Sequence, residues 1–409
     1  MIYDFLTVFG KIDKSIDPKQ TSKYDICNEL IKLDTWIILH LSQPEIMPTI
    51  VKKPKMQIQK EATAMNEFSE TTVLVTGASG FIAMHCILKL LEKGYKVRGT
   101  LRSPERETGL RKTFMKHTSV DDRLEFITTN LKTDAGWDDA VEGCQYILHV
   151  ASPFPSQPPK HENDLIHPAR DGAIRILKLA SAANVKRVVM TSSLAAVVSG
   201  HDYDESKVFD EEDWSRTDRH IGAYEKSKTL AEQGAWDFMK GLESDNALEM
   251  SVINPGLVLG PILDADYSTS GELIRKLMRR EFPGCPDLGW PAVDVRDVAD
   301  AHLAAMTTPE AAGMRFICTI EDARIQEIAL LLKNHFANRG YKVPTRKLPN
   351  MIVRFSALFD KTLRLVVKDL GKHAEISNAR IKEVLAWKPR TLKEMVVTMA
   401  ESMIEYGVV

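Results

Sequence analysis

The chain has 409 residues, of which 44% are hydrophobic and 27% charged, and its formal net charge is -2. These are the values of an ordinary globular protein that is long enough for two or three domains. The near-zero charge excludes the strongly basic surface of a nucleic-acid-binding protein and gives no attraction to an anionic membrane surface.

Residues 1–65 differ in composition from the rest of the chain. They carry a single glycine, Gly10, and no clear periodicity beyond a short stretch near 26–41. We expect them to form a poorly ordered N-terminal extension of a complete domain, for which Met65 is a natural start. A docking or regulatory arm is the alternative. They contain no signal-peptide pattern and no arginine, which argues against a secretory or mitochondrial leader.

Nowhere does the sequence contain the roughly 18–20 consecutive apolar residues that a membrane-spanning helix needs. The five cysteines are scattered, without a Cys-x-x-Cys pair or a Cys/His cluster at zinc spacing. We therefore expect no membrane partner, no metal site and no disulfide framework. The cytoplasm is the expected location, because scattered free cysteines suit a reducing compartment.

From Thr71 onward, apolar β-rich runs alternate with helix-like segments. Such alternation, with strands that are apolar on both faces, predicts a parallel sheet covered by helices on both sides. The predicted strands are 72–75, 95–101, 124–129, 145–150, 187–192 and 249–254, and the predicted helices include 81–93, 164–183, 224–240 and 295–307.

The stretch TTVLVTGASGFIAMHCILKLLEKG places a glycine-rich turn between a predicted strand and a predicted helix. Gly77 permits the tight turn, Gly80 lets the backbone approach a pyrophosphate, and the small Ala83 lets the helix pack on the strand. Free N–H groups and the helix dipole favour an anion at this position. The turn predicts dinucleotide binding by a set of five residues: Gly77, Ser79, Gly80, Phe81 and Ile82.

The residue type at the end of the next strand distinguishes an NAD site from an NADP site. An NAD site uses an acidic residue there to hold the ribose 2′-hydroxyl. The segment VRGTLRSPER has three arginines instead, and no acid before Glu105. Arg102 falls at the predicted strand end, where a guanidinium can grip a 2′-phosphate in bidentate fashion. Arginines that only solvate a sheet edge are the alternative. The pattern predicts NADP(H).

Two tyrosines stand four residues before a lysine, a spacing that puts both side chains on one face of a helix. A nearby ammonium lowers the pKa of a phenol towards neutrality, which makes it a useful proton donor. Tyr224 and Lys228 head a predicted helix whose apolar positions continue along one face. Tyr203 and Lys207 lie in an acidic segment without that periodicity. The first pair is therefore the better candidate for catalysis.

Seven motifs spread along the chain resemble the extended short-chain dehydrogenase/reductase superfamily. The resemblance is strongest to its dihydroflavonol 4-reductase-like branch, which includes cinnamoyl-CoA reductases and NADPH-dependent aldehyde or methylglyoxal reductases. The motifs are VTGASGFIA, HVASP (149–153), VVMTSS (188–193), YEKSKTLAE (224–232), INPGLVLGP (253–261), DVRDVADAH (294–302) and the closing WKPRTLKEM.

The resemblance implies a Rossmann-type doubly wound parallel sheet, an α/β fold, with a smaller C-terminal α/β substrate lobe. The NADP-binding domain would span 66–261, with 291–319 returning to it. The substrate-binding lobe would consist of 262–290 and 320–409, which have no readable signature of their own.

The resemblance also implies roles for individual residues. Tyr224 would donate a proton to the substrate carbonyl, Lys228 would lower its pKa, and Ser193 would hydrogen-bond the carbonyl oxygen, with Ser192 as the alternative. The implied contacts to the cofactor come from Arg102, Asn130, Leu131, Val150, Ala151, Ser152, Tyr224, Lys228, Pro255 and Gly256. Val198 stands where dihydroflavonol reductases usually carry an asparagine, which argues against a polyhydroxylated flavonoid substrate.

The predicted function is NADPH-dependent reduction of an aldehyde or ketone of a small to medium organic substrate to the alcohol by hydride transfer. The alternatives are a nucleotide-sugar epimerase or dehydratase, a hydroxysteroid dehydrogenase, and a non-catalytic NADP-sensing regulator. We expect a monomer or homodimer without a nucleic-acid partner. The polar residues of DVRDVADAH, notably Asp294, Asp297 and His302, are interpreted as a capped helix start rather than as catalytic groups.

Overall fold

The computed structural model describes residues 68–153, 159–201, 207–243, 247–320, 322–356, 358 and 367–409. The predicted N-terminal extension, residues 1–65, and the tyrosine of the second Tyr-x-x-x-Lys pair, Tyr203, lie outside the described residues. No helix in the described part of the chain is long and apolar enough to cross a membrane.

A seven-stranded sheet, here called the main sheet, has the strand order β10-β7-β5-β4-β1-β2-β3, and every neighbouring pair is parallel. A three-stranded sheet has the order β11-β9-β8, and β12 pairs with β6. The strands are β1 (Thr72–Val75), β2 (Lys96–Leu101), β3 (Leu124–Thr128), β4 (Tyr146–His149), β5 (Arg187–Thr191), β6 (Val208–Phe209), β7 (Glu249–Pro255), β8 (Leu257–Leu259), β9 (Gly289–Asp294), β10 (Arg315–Cys318), β11 (Asp322–Arg324) and β12 (Glu375–Ile376).

Helices follow most strands of the main sheet, as a parallel sheet requires for its crossover connections. The α-helices are α1 (Phe81–Glu92), α2 (Glu107–Met115), α3 (Trp137–Val141), α4 (Asn163–Ala182), α5 (Ala223–Lys240), α6 (Gly271–Met278), α7 (Val295–Thr307), α8 (Ile325–Phe336), α9 (Asn350–Ser356), α10 (Ala379–Leu385) and α11 (Leu392–Glu405).

The main sheet is covered on both faces. Because successive side chains of a strand point to opposite faces, neighbouring residues of β1 enter different apolar clusters. Val73 and Val75 pack with residues of α1 and α7, whereas Leu74 packs with residues of α4 and α5. The five residues of β5 are all buried. The predicted α/β, doubly wound parallel fold is confirmed.

A further apolar cluster lies in the C-terminal part of the chain. It joins Ile274 of α6, Ile328 of α8 and Met399 of α11 with residues beside β8 and β9. The small sheet is mixed, since β9 runs parallel to β8 and antiparallel to β11. The helix α7 and the strand β10 that follow β9 pack on the main sheet instead.

Candidate active site

The predicted site residues converge on one edge of the main sheet, here called the carboxyl edge. The strands β1, β2, β3, β4, β5 and β7 are parallel, so their carboxyl ends lie on the same side. Each predicted segment directly follows one of these ends. In strand order they are Gly77–Ile82, Arg102, Asn130 with Leu131, Val150–Ser152, Ser193, and Gly256 next to Pro255.

The turn after β1 has a backbone that only glycine suits. Gly77 has a φ of 69°, and a Cβ atom added there would lie 3.1 Å from the Cβ of Ala151. Its N–H donates to the Thr100 hydroxyl at 3.0 Å, and the N–H of Gly80 donates to the Gly77 carbonyl at 2.8 Å. The turn is therefore held open towards the carboxyl edge by contacts with β2 and with the segment after β4.

The amino end of α1 is left open for an anion. No side chain caps it at Gly80, and its first turn holds no acidic residue. The first amides of a helix, here those of Phe81 and Ile82, have no intrahelical acceptor, and the helix dipole adds partial positive charge. Ser79 is half-buried in the turn. A dinucleotide pyrophosphate fits this charge and this exposed backbone.

The three arginines after β1 have different surroundings. Arg98 is a structural residue: it pairs with Glu125 at 2.5 Å and donates to the backbone carbonyl of Glu142 at 2.6 Å. Arg106 pairs with Asp266 at 2.8 Å. Arg102 is exposed just beyond β2, and no described residue forms an ion pair with it. Arg102 is thus the arginine whose guanidinium remains open to a phosphate.

Thr76 ties the ends of β1 and β4 together. Its hydroxyl accepts from the Ala151 N–H at 2.9 Å and lies 3.0 Å from Nδ1 of His149. Burial lowers the pKa of His149 to about 3, helped by the nearby positive charge of Lys228. The histidine is therefore neutral, and the segment Val150–Ser152 is fixed beside the glycine turn.

Ser193, Tyr224 and Lys228 come together between β5 and α5. The Ser193 hydroxyl accepts from the Ala195 N–H at 3.1 Å and is hydrogen-bonded to the Tyr224 side chain. Lys228 is buried, and its Nζ donates to the Thr191 carbonyl at 3.4 Å. Helix α5 begins with Ala223, so Tyr224 and Lys228 lie on successive turns of one face.

The structure distinguishes between the two neighbouring serines. The Ser192 hydroxyl is buried and has no hydrogen-bond partner among the described residues. Ser193, by contrast, contacts Tyr224. Successive residues of an extended backbone point in opposite directions, which explains why only one of the pair reaches the tyrosine.

Burial shifts both titrating groups of α5. It raises the pKa of Tyr224, against the lowering effect of the hydrogen bond from Ser193, so the net direction is opposite to the lowering by Lys228 that the sequence predicted. It lowers the pKa of Lys228 to about 8, against the raising effect of Glu232. Near neutral pH the tyrosine holds its proton and the lysine holds its positive charge. The arrangement can therefore deliver a proton to an oxygen and stabilise the phenolate that remains.

Three other residues with a predicted role, Gly256, Asn130 and Leu131, follow strand ends at the carboxyl edge. A Cβ atom added to Gly256 would lie 2.0 Å from the Pro291 carbonyl oxygen, so only glycine fits between β7 and β9. Asn130 is exposed, and its side-chain oxygen accepts from the Lys132 N–H at 3.0 Å. Leu131 packs beside Gly172 of α4.

The interpretation of DVRDVADAH as a capped helix start is confirmed. Asp294 accepts from the Arg296 N–H at 2.9 Å and caps α7. Asp297 pairs with Arg390, and His302 lies 2.6 Å from the Thr191 hydroxyl. In the part of the chain that the structure describes, no group of three or more His, Cys, Asp or Glu side chains could hold a metal ion.

Sequence reasoning missed a buried polar group behind the site. Glu232 follows Lys228 by one helical turn and is fully buried, where it contacts Asn254 and Arg315. The only signal was its place at four-residue spacing after Lys228 on an otherwise apolar helix face.

Residues 73–317 match the model of the NAD dependent epimerase/dehydratase family. The chain belongs to this family. The match covers β1 to β10 and thus the whole main sheet, together with every predicted site residue.

Named relatives of this chain include reductases. The NADPH-dependent methylglyoxal reductase GRE2 of Saccharomyces cerevisiae is 33% identical over 355 residues, which are 82% of this chain and 98% of that protein. The cinnamoyl-CoA reductase CAD2 of Medicago truncatula is 36% identical over 270 residues, which are 64% of this chain and 79% of that protein.

A solved structure of a family member has the same fold. It is the yeast methylglyoxal/isovaleraldehyde reductase Gre2 complexed with NADPH, with a TM-score of 0.70 and 29% sequence identity, covering 83% of this chain and all (100%) of that one. The predicted resemblance to extended short-chain dehydrogenases/reductases is confirmed.

Proposed function

We propose that this protein is an NADPH-dependent oxidoreductase that reduces an aldehyde or ketone to the alcohol. The observation that carries the proposal is the contact of Ser193 with Tyr224. Lys228 follows Tyr224 by one turn of the same helix, and the contact lies at the sheet edge that also holds the glycine turn. The predicted enzyme class and the NADP(H) cofactor are confirmed by relatives that are NADPH-dependent or NADPH-bound reductases.

The residues of the carboxyl edge fit a bound dinucleotide phosphate. The amino end of α1 would hold the pyrophosphate, and Arg102 would hold the 2′-phosphate. The remaining contacts would come from Asn130 and Leu131 to adenine, from Val150, Ala151 and Ser152 along the cofactor, and from Pro255 and Gly256 to the carboxamide. When bound, the cofactor supplies the hydride.

The protein's own groups handle the charge that builds on the substrate oxygen. Tyr224 transfers its hydroxyl proton to that oxygen, so the carbonyl becomes an alcohol and the tyrosine a phenolate. Ser193 donates a hydrogen bond to the same oxygen, a type of contact that is strongest when negative charge develops. The Lys228 ammonium, close behind, stabilises the phenolate until a proton returns from solvent.

The C-terminal segments 262–290 and 320–409 are proposed as the lobe that selects a small to medium organic carbonyl compound. Val198 is half-buried and packs beside Leu194 and Val197, an apolar neighbourhood that supports a substrate with few hydroxyls. The proposal also includes the cytoplasm as the location and a monomeric or homodimeric state. The lack of a nucleic-acid partner completes it, and the near-zero net charge supports that last part.

The experiment uses the full chain and the loss of NADPH absorbance. Methylglyoxal, phenylacetaldehyde and diketones serve as carbonyl substrates, with NADH as the matched cofactor and a nucleotide sugar as the control substrate. We expect turnover of at least one carbonyl compound and a preference for NADPH. Tight NADPH binding without turnover of any carbonyl would instead identify a sensor and contradict the proposal.

A further inference from the structure

A buried carboxylate lies one helical turn beyond Lys228. Glu232 of α5 is 0% exposed, and Lys228 is 6% exposed. Residues four apart on a helix lie side by side, and the negative charge of Glu232 acts on Lys228 directly. A buried acid is expensive unless it is paired and hydrogen-bonded, so its presence here calls for a role.

Both oxygens of Glu232 are held by groups from the main sheet. Oε1 accepts from Nε of Arg315, on β10, at 2.5 Å, and Oε2 accepts from Nδ2 of Asn254, on β7, at 2.8 Å. The same Nδ2 of Asn254 donates to the Ser193 carbonyl at 3.2 Å. One carboxylate is therefore linked to the lysine of α5 and to the backbone of the active-site serine.

Arg315 cannot turn away from Glu232. Its Nη1 donates to the carbonyls of Glu211 at 2.8 Å and Asp213 at 2.9 Å, and its guanidinium lies 3.7 Å from the centre of the Trp214 ring. A guanidinium fixed at three points keeps the carboxylate in one rotamer. The geometry of Glu232 is thus set by the fold and not by the cofactor.

The other charged groups around Lys228 do not replace this carboxylate. From β4 the neighbour is His149, which burial keeps neutral, and from β5 it is the Thr191 carbonyl. From α4, Arg170 lies beside Gly234 further along α5 and pairs with Asp171. Among the described residues, only Glu232 has a negative charge that acts on Lys228.

We propose that Glu232 is a positioning residue of the reductase site, which holds Lys228 in its charged form and fixes the Ser193 backbone through Asn254. The inference rests on the proposed function. Without the carboxylate, Lys228 and Arg315 would be two buried cations without a shared anion, and the lysine is the one that can lose its proton. The neutral lysine would no longer support proton donation by Tyr224.

Glu232→Gln in the full chain tests the proposal. We expect the pKa of Lys228 to fall by about one unit or more, the usual effect of losing a close opposite charge. The pKa is measured by NMR as the pH dependence of the Cε chemical shift of Lys228 in protein labelled with carbon-13 lysine. The Lys228 signal is identified by its loss in Lys228→Arg. The basic limb of kcat/KM for carbonyl reduction should move to lower pH by a similar amount.

Glu249→Gln is the matched control. Glu249 pairs with the buried Arg187 at 2.7 Å. The two residues lie at the amino ends of β7 and β5, away from the carboxyl edge. Its loss also removes an acid from a buried arginine and lowers stability, but it should leave the Lys228 shift and the pH profile unchanged. Equal changes of the Lys228 titration and of the pH profile in both variants would mean that Glu232 serves only as the ion-pair partner of Arg315, and would overturn the proposal.

A second variant covers the case in which Glu232→Gln does not fold. Glu232→Gln with Arg315→Gln removes the carboxylate together with the guanidinium that pairs with it, so no arginine is left buried without its anion, and the pKa of Lys228 should still fall. An unchanged lysine titration in either folded variant would overturn the inference. Because this measurement needs no turnover, it separates the two proposals: wild-type protein that reduces no carbonyl contradicts the proposed function, whatever the lysine shows.

Discussion

The two ends of the main sheet carry buried polar groups of the same kinds but satisfy them differently. At the amino ends of β5 and β7, Arg187 pairs with Glu249 and also donates to the Ala305 carbonyl at 2.7 Å. At the carboxyl edge, the Ser192 hydroxyl and the Asn254 side-chain oxygen are buried without a hydrogen-bond partner among the described residues.

This difference separates stability from function. An unpaired buried polar group costs about 1–3 kcal/mol, so a protein that only needed stability would pair it or remove it. The Arg187–Glu249 pair at the amino ends of β5 and β7 follows that rule. The carboxyl edge keeps an open helix terminus and an arginine, Arg102, without an ion-pair partner among the described residues, as a surface built for a charged ligand would. Paired variants at the two ends test this contrast.

The largest effect is expected for Tyr224→Phe. Loss of the proton donor should lower kcat by about a thousandfold, within the usual range for general acid catalysis. The Kd for NADPH, measured by fluorescence titration, should stay within about twofold, because a single hydroxyl away from the phosphates contributes little binding energy.

Tyr146→Phe is its control at the other end of the sheet. Tyr146 begins β4 and is half-buried. Its hydroxyl should be dispensable, with kcat close to wild type. If Tyr224→Phe were active, or if Tyr146→Phe lost as much kcat as Tyr224→Phe, the carboxyl and amino ends of the main sheet would not differ in function.

The neighbouring serines give the next largest effect. Ser193→Ala should lower kcat by about 100-fold, as removal of one hydrogen-bond donor to a developing oxyanion usually does. Ser192→Ala removes a hydroxyl with no partner among the described residues and should leave kcat nearly unchanged. Steady-state kinetics on both variants measure this, and the reverse order would assign the catalytic role to Ser192.

Arg98 in β2 and Arg102 just beyond it give the next comparison. Arg102→Ala should raise KM for NADPH by about 10- to 100-fold and leave KM for NADH unchanged, because a charge-assisted contact to the 2′-phosphate is lost. Arg98→Ala, which breaks the pair with Glu125, should lower the melting temperature and leave the NADPH preference intact. Equal effects on both cofactors in Arg102→Ala would contradict the role of Arg102 in cofactor choice.

The sequence was sufficient to predict six of the seven strands of the main sheet, all except β10, but not the small sheet. The six predicted strands and four predicted helices agree with the structure within one residue at each end. Their apolar runs are continuous because both faces are buried, and that pattern is local. In contrast, β8 and β11 have three residues each, and their pairing with β9 depends on contacts between distant parts of the chain.

The site residues also fall into those that local spacing predicts and those that only the fold brings together. Tyr224 and Lys228 lie on successive turns of one helix, so their spacing alone predicts that they share a face of it. Glu232 and Arg315 are 83 residues apart, and charged residues in a sequence are normally expected at the surface. Only the fold shows that they are buried together behind the site, and the choice between Ser192 and Ser193 likewise needed the backbone direction after β5.

The smallest expected effect concerns the stability of the carboxyl edge itself. Burial lowers the pKa of Lys228 from its ordinary 10.5 to about 8. Between these values the unfolded chain holds a proton that the folded chain has released, so the free energy of unfolding should rise with pH. The rise is at most about 1.4 kcal/mol per pH unit, and well below pH 8 the contribution is constant and unfavourable.

In urea unfolding between pH 8 and 9.5, the free energy of unfolding of Lys228→Met should therefore rise less with pH than that of wild-type protein. Taking the difference between the two proteins cancels every other group that titrates in the same window. Lys186→Met, an exposed position just before β5 at the amino end, should keep the wild-type slope. If Lys228→Met kept the slope as well, the lysine would not be desolvated in the folded protein. The carboxyl edge would then resemble the amino ends of β5 and β7, where the buried charge of Arg187 is paired with Glu249.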